Sequence, residues 1–170
     1  FYAVKANSNQ NVMSLLNDYG IGFEVASQAE LELVQNFTND PKRVISGNPI
    51  KSPALIESMY KSGVERYVID STTEIDKLAL LAPRSEVIIR LTVDNSSSAW
   101  PLSEKYGVEV EVAIELFEYA AQLGLIPAGI SFHVGSQCFD LDSWGAALSK
   151  SASLWVEPHP QYVFSMDQVF

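Results

Sequence analysis

At 170 residues, with 47% hydrophobic and 19% charged residues, the chain has an ordinary globular composition and is long enough for one core. A net charge of −10, with only 11 lysines and arginines, argues against nucleic acid or an anionic membrane surface as a partner. With no run of about eighteen apolar residues, no basic apolar leader and a single cysteine, Cys138, neither a membrane span nor an internal disulfide is expected, and a reducing, cytoplasmic compartment is.

The chain opens on Phe1-Tyr2-Ala3-Val4-Lys5-Ala6-Asn7, an apolar strand pattern with a lysine near its end. Alternation puts Tyr2 and Val4 on one side and Ala3 and Lys5 on the other. A lysine on the inner face of a buried strand is costly unless paired or used, and a desolvated amine loses its proton readily and attacks carbonyls. Residues 9–19 then carry Val12, Leu15, Leu16 and Tyr19 at helical spacing, closed by Gly20. Gly22–Ala26 reads as a strand, and Ser27-Gln28-Ala29-Glu30 has capping-box spacing at the start of a helix. Strand 43–46 leads through Gly47-Asn48-Pro49 to a helix opened by Ser52 and Pro53 and stopped at Gly63. Strand 67–70 is followed by Ser71-Thr72-Thr73-Glu74, a second capping box, and Val87–Val93 is the strongest strand of all. Asp94–Ala99 reads as a polar loop. Beyond it come a helix over about 109–124, a strand over 129–134, a helix from near Ser143, and an apolar Tyr162–Met166.

The first five strands begin about twenty residues apart, so one βα unit recurs along the chain. Their near-continuous apolar character fits strands covered on both faces of a parallel sheet. Two architectures remain, a doubly wound open sheet or a (β/α)8 barrel. The first would want a G-x-G-x-x-G after its first strand, which is absent. Polar residues cluster instead at strand after strand: Lys5, Ser27, Asn48, Asp70, Arg90, His133 and Ser136. Such contributions converge only in a barrel, and since a full one takes about 250 residues, six or seven strands make this an incomplete one over residues 1–170. Lys5 offers an amine for an aldehyde, His133 a flat ring to stack on an aromatic one, and Arg90 a cation for an oxyanion. Gly135-Ser136 offers a turn suited to phosphate. Pyridoxal phosphate needs such groups, and no metal is called for.

Five segments taken together resemble one family: Phe1–Asn7, Gly22–Ser27 with Glu30, Gly47–Lys51, Trp100–Gly107 and Ser131–Ser136. That family is the fold-type-III pyridoxal phosphate decarboxylases, whose members act on ornithine, lysine, arginine or diaminopimelate. The Asn-Pro-Ile-Lys and Trp-Pro-Leu-Ser stretches are most similar to those of bacterial ornithine/lysine decarboxylases. The resemblance implies an alanine racemase-like barrel, with the family's carboxy-terminal β-domain absent from these residues. It implies that Lys5 carries pyridoxal 5′-phosphate covalently, that His133 stacks on its ring, that Ser136 binds the phosphate and that Arg90 lies near the ring phenolate. Glu24 stands beside the cofactor lysine, and Lys105 matches a residue of the family's homodimer contact. The implied activity is decarboxylation of a small basic amino acid, ornithine or lysine, to a polyamine precursor, completed by residues beyond this chain. Diaminopimelate decarboxylation and a non-catalytic regulatory homologue of the antizyme-inhibitor kind are the alternatives.

Overall fold

The computed structural model describes residues 1–100 and 105–156. Its centre is a six-stranded parallel sheet of β1 (Tyr2–Ala3), β2 (Phe23–Val25), β3 (Val44–Ser46), β4 (Arg66–Ile69), β5 (Glu86–Arg90) and β7 (Ile126–Ser131). Helices α1 (Gln10–Asp18), α2 (Gln28–Gln35), α3 (Pro53–Lys61), α4 (Thr72–Leu81) and α5 (Val110–Gln122) alternate with these strands, and α6 (Leu141–Val156) follows. A separate antiparallel ribbon pairs β6 (Ser98–Trp100) with β8 (Ser136–Cys138).

The strand order, β1-β2-β3-β4-β5-β7, follows the chain without reversal. A doubly wound sheet would reverse at its switch point. Side-chain alternation says the same. Phe23, Val25, Val44, Tyr67, Ile69, Val87 and Ile89 share one buried cluster with the helix residues Met13, Leu31, Ile56, Met59, Leu78 and Phe117. The intervening Ile45, Val68 and Ile88 form their own cluster with Ala128. Neighbouring helices from α2 to α6 touch in chain order. Helices on one face and an unreversed sheet make the wall of a (β/α)8 barrel, as the sequence implied.

One irregularity sets a side chain of the site. Between β5 and β7 the register shifts at Val87/Ile88, pairing Val87 with Pro127 and Ile88 with Gly129. Proline has no N–H to give the ladder, and a bulge accommodates it. Past the shift, Ile89 pairs Ile130 and Arg90 pairs Ser131. Without the extra residue every later side chain of β7 would face the other way.

Several elements differ from the sequence reading. The α1 stripe turns on buried Met13, whereas Leu15 and Tyr19 are exposed. β1 ends at Ala3, and Lys5 lies in a 3-10 turn over Val4–Ala6, closed by Tyr2 Oη donating to the Asn7 carbonyl at 3.2 Å. β5 stops at Arg90 because its edge is taken by the segment around Val108, whose N–H donates to the Arg90 carbonyl at 3.0 Å. β7 stops at Ser131, so His133 stands beyond the strand. Part of the expected polar loop is β6. The Trp100–Gly107 stretch lies partly outside the described residues, and Tyr162–Met166 wholly so.

The two capping-box sequences have different fates. Ser27 Oγ accepts from Glu30 N–H at 3.3 Å, and Glu30 Oε2 accepts from Ala26 N–H at 2.7 Å. At α4 the Ser71 side chain makes no capping bond. Glu74 instead turns inward to a buried pair with Lys51 at 3.3 Å, and Lys77 closes on its other oxygen. Lys51 Nζ also donates to the carbonyls of Asn48 (2.9 Å), Pro49 (3.0 Å) and Val68 (2.6 Å). A buried ammonium needs a counter-charge more than a helix end needs a cap, so the carboxylate goes to the lysine. Burial pulls Lys51 down to about 8, against the attraction of Glu74.

Removing Lys51 takes one of two counter-charges from the buried Glu74 and strips a donor from three carbonyls. We expect Lys51→Met to cost about 3–5 kcal/mol in denaturant unfolding of the full-length protein. Adding Glu74→Gln should recover part of the loss, and an unchanged midpoint for the single variant would contradict this account.

Candidate active site

On the face of the sheet opposite the helices, at the carboxyl ends of the strands, a pocket of about 320 Å³ opens. Its lining includes Lys5, Glu24, Gly47, Arg90, Ser131 and His133, with Phe1, Ala3, Ile45, Val68 and Phe132 as apolar wall. The volume falls at the small end of the roughly 300–1,000 Å³ common for small-molecule sites. Four of the residues singled out in the sequence, Lys5, Glu24, Arg90 and His133, therefore meet in one place.

Lys5 is not the buried amine that the strand pattern implied. The 3-10 turn carries it past the end of β1 to the rim, where its side chain is 64% exposed. What acts on it is a charge: Nζ lies 3.8 Å from Glu24 Oε1, on a side chain only 18% exposed. Glu24 comes from the inner-facing position of β2 and lies against the backbone of Gly47. A Cβ on Gly47 would fall 2.6 Å from both Cγ and Oε1 of Glu24, so any side chain there would displace the carboxylate. The loop that carries Gly47 is the one Lys51 ties to the end of β4.

Arg90 closes β5 with its guanidinium 5.4 Å from the centroid of the Tyr106 ring. Burial lowers its pKa, while Asp70, Tyr106 and Glu24 oppose the shift; an arginine keeps its proton under such opposition. Asp70, at the end of β4, accepts from Gly107 N–H at 3.0 Å, which holds the Tyr106 segment over the arginine.

His133 receives a hydrogen bond at Nδ1 from Gly135 N–H, 2.9 Å away. In the neutral ring this places the proton on Nε2. Partial burial, then the charges of Arg90 and Lys5, hold its pKa below the ordinary value of 6.5. Gly135 has φ +90, and a Cβ there would collide with Ser98 Oγ, so the turn before β8 and the start of β6 touch through a glycine.

Ser136 is not among the residues lining this pocket. It belongs to β8, in register with Trp100. The Gly135 amide, expected to face a phosphate, is given to His133 instead. Lys105 is exposed in a turn. The sequence reading passed over Ser131, which alternation from His133 could have placed on the same side, and Gly47, whose part depends on packing against Glu24.

Comparison with known proteins now bears on these residues. Residues 1–169 match the model of the pyridoxal-dependent decarboxylase family, pyridoxal binding domain. The chain belongs to this family. It is 36% identical over 166 residues to antizyme inhibitor 2 of Xenopus laevis, a match covering 98% of this chain and 36% of that protein. It is 37% identical over 149 residues to the ornithine decarboxylase of Mus pahari, covering 88% of this chain and 32% of that one. The crystal structure of lysine decarboxylase from Selenomonas ruminantium superposes with a TM-score of 0.89 at 34% identity, covering 96% of this chain and 43% of that one. The chain thus spans about a third of the length of these curated relatives.

The depressed pKa of His133 has a measurable consequence. Just below 6.5 the unfolded chain binds a proton that the folded one refuses, so acidification costs stability there. We expect the imidazole NMR signals of His133 in cofactor-free full-length protein, assigned by their loss in His133→Gln, to titrate with a midpoint below 6.5. A midpoint above that value would show that the pocket does not disfavour the imidazolium.

Proposed function

We propose that the protein carrying this chain is a pyridoxal 5′-phosphate-dependent decarboxylase of a small basic amino acid, ornithine or lysine. The observation that carries this reading is the convergence of Lys5, Glu24, Arg90 and His133 from four strand ends onto one pocket. The donor set fits the cofactor: an amine at the rim, a neutral imidazole, a guanidinium and an apolar wall.

When bound, pyridoxal phosphate supplies an electron sink for the negative charge left as carbon dioxide departs. In this reading Lys5 is the group to which the cofactor is attached. Glu24, beside it, orients the amine and balances its charge. His133 presents a flat ring, and because its pKa is lowered it adds no second cation against a protonated pyridine. Arg90 offers positive charge to an anionic ring oxygen, in an orientation fixed by Tyr106. Ile45, Val68 and Phe132 reduce the access of water to the ring. Ser136 is assigned to the phosphate, at the far side of the His133 turn. A homodimer, with Lys105 in its contact, and a cytoplasmic location complete the proposal. The free thiol of Cys138 agrees with a reducing compartment.

The similarity to antizyme inhibitor 2 supports a second reading, a regulatory homologue without decarboxylase activity. Two measurements separate the readings. Borohydride reduction of the full-length protein with pyridoxal phosphate is expected to fix the cofactor on Lys5, and Lys5→Ala to abolish labelling and activity. Peptide mapping that finds the label on Lys51 or Lys105 would refute the assignment. Carbon dioxide release from a panel of basic amino acids is expected to be fastest with ornithine or lysine. A much faster rate with meso-diaminopimelate would overturn the substrate, and no release from any would favour the regulatory reading.

A further inference from the structure

Ser131 is 7% exposed, and its Oγ has no hydrogen-bond partner among the described residues. It also lines the pocket. Buried hydroxyls are almost always satisfied, and an orphan calls for an explanation. The Oγ atoms of Ser46 and Ser85 are orphaned too, but neither residue lines the pocket. Ser131 alone among these serines combines the two observations. Its placement is specified by the fold: the bulge at Pro127 brings it opposite Arg90, on the same face of the sheet. Its main chain is used by the ladder, since the Ser131 carbonyl accepts from Leu91 N–H at 2.8 Å, so the hydroxyl is held in place by a fixed backbone.

We propose that the Ser131 hydroxyl is a ligand-binding group of this pocket, donating its hydrogen to the anionic ring oxygen that Arg90 neutralises. The inference rests on the pyridoxal phosphate reading given above. A hydroxyl donates along one direction, whereas a guanidinium stacked on Tyr106 supplies charge over a broader area. Together they fix both the position and the ionisation of the ring oxygen.

The test uses the full-length protein and pyridoxal phosphate itself. Ser131→Ala is expected to weaken cofactor binding roughly tenfold, equivalent to about 1.4 kcal/mol. It is also expected to shift the pH transition in the visible absorbance of the bound cofactor upward, because the ring oxygen loses a donor that favours its charged form. Ser131→Thr and Ser131→Val have the same shape and differ in the hydroxyl. Thr should keep both properties near wild type and Val should lose them, which separates hydrogen bonding from packing. Ser46→Ala, which removes an orphan hydroxyl away from the pocket, should leave both unchanged. Wild-type affinity and absorbance titration in Ser131→Ala, or equal behaviour of Thr and Val, would overturn the proposal while leaving the cofactor assignment intact. A wild-type protein that binds no pyridoxal phosphate would overturn both.

Discussion

Gly47 cannot take a side chain without displacing the Glu24 carboxylate. The carboxylate occupies the space where a side chain on Gly47 would be, and it faces Lys5 from there. That contact holds only if the Gly47 loop cannot drift, and the loop is fastened by Lys51, whose ammonium joins the loop carbonyls of Asn48 and Pro49 to that of Val68 on β4. Lys51 is in turn tolerated in the interior because Glu74 balances its charge, while Lys77 holds the other oxygen of that carboxylate. A buried ionic knot under one strand end thus positions a carboxylate at the next. Burying charge rarely stabilises a fold more than apolar packing would. Its use here lies in the fixed geometry it gives to the rim.

The barrel wall was legible because its signal is redundant. Apolar strand patterns at a steady interval, helix starts at Ser27 and Ser52, and polar residues at successive strand ends all indicate one architecture. The site was legible for a related reason: strand ends of a parallel barrel converge, so Lys5, Glu24, Arg90 and His133 had to meet if the strands were in order. What could not be read is where hydrogen-bond ladders stop. β5 gives way to the Val108 segment after Arg90, β1 ends at Ala3 and β7 at Ser131, so Lys5 and His133 stand beyond their strands. The serine and glutamate of Ser27–Glu30 and Ser71–Glu74 are spaced alike, yet only the first pair caps its helix. Nothing local distinguishes them. The difference is Lys51, twenty-three residues away and buried, and a demand of that kind appears only once the chain is packed.

The inner face also bears on whether this barrel is built for a ligand. An inert wall would gain most by continuing the apolar layer of Ile45, Val68 and Ile88 to the rim. Instead the rim carries a glutamate, an arginine whose proton is disfavoured by burial, a histidine pushed toward neutrality and an orphaned serine hydroxyl. Burial disfavours the charged forms of the arginine and the histidine, and the serine hydroxyl has no partner among the described residues. Polar groups left in such a state are worth keeping where a bound molecule completes them. That argument separates a binding barrel from a structural one, and it applies equally to a decarboxylase and to a regulatory protein that retained its pocket. The Lys5–Glu24 pair bears on that choice. Attachment of the cofactor asks only for the amine of Lys5, and the carboxylate held beside it goes beyond what retention needs. An amine oriented by a carboxylate at the open rim, where a substrate must enter, is of use to a reaction that makes and breaks a bond to nitrogen.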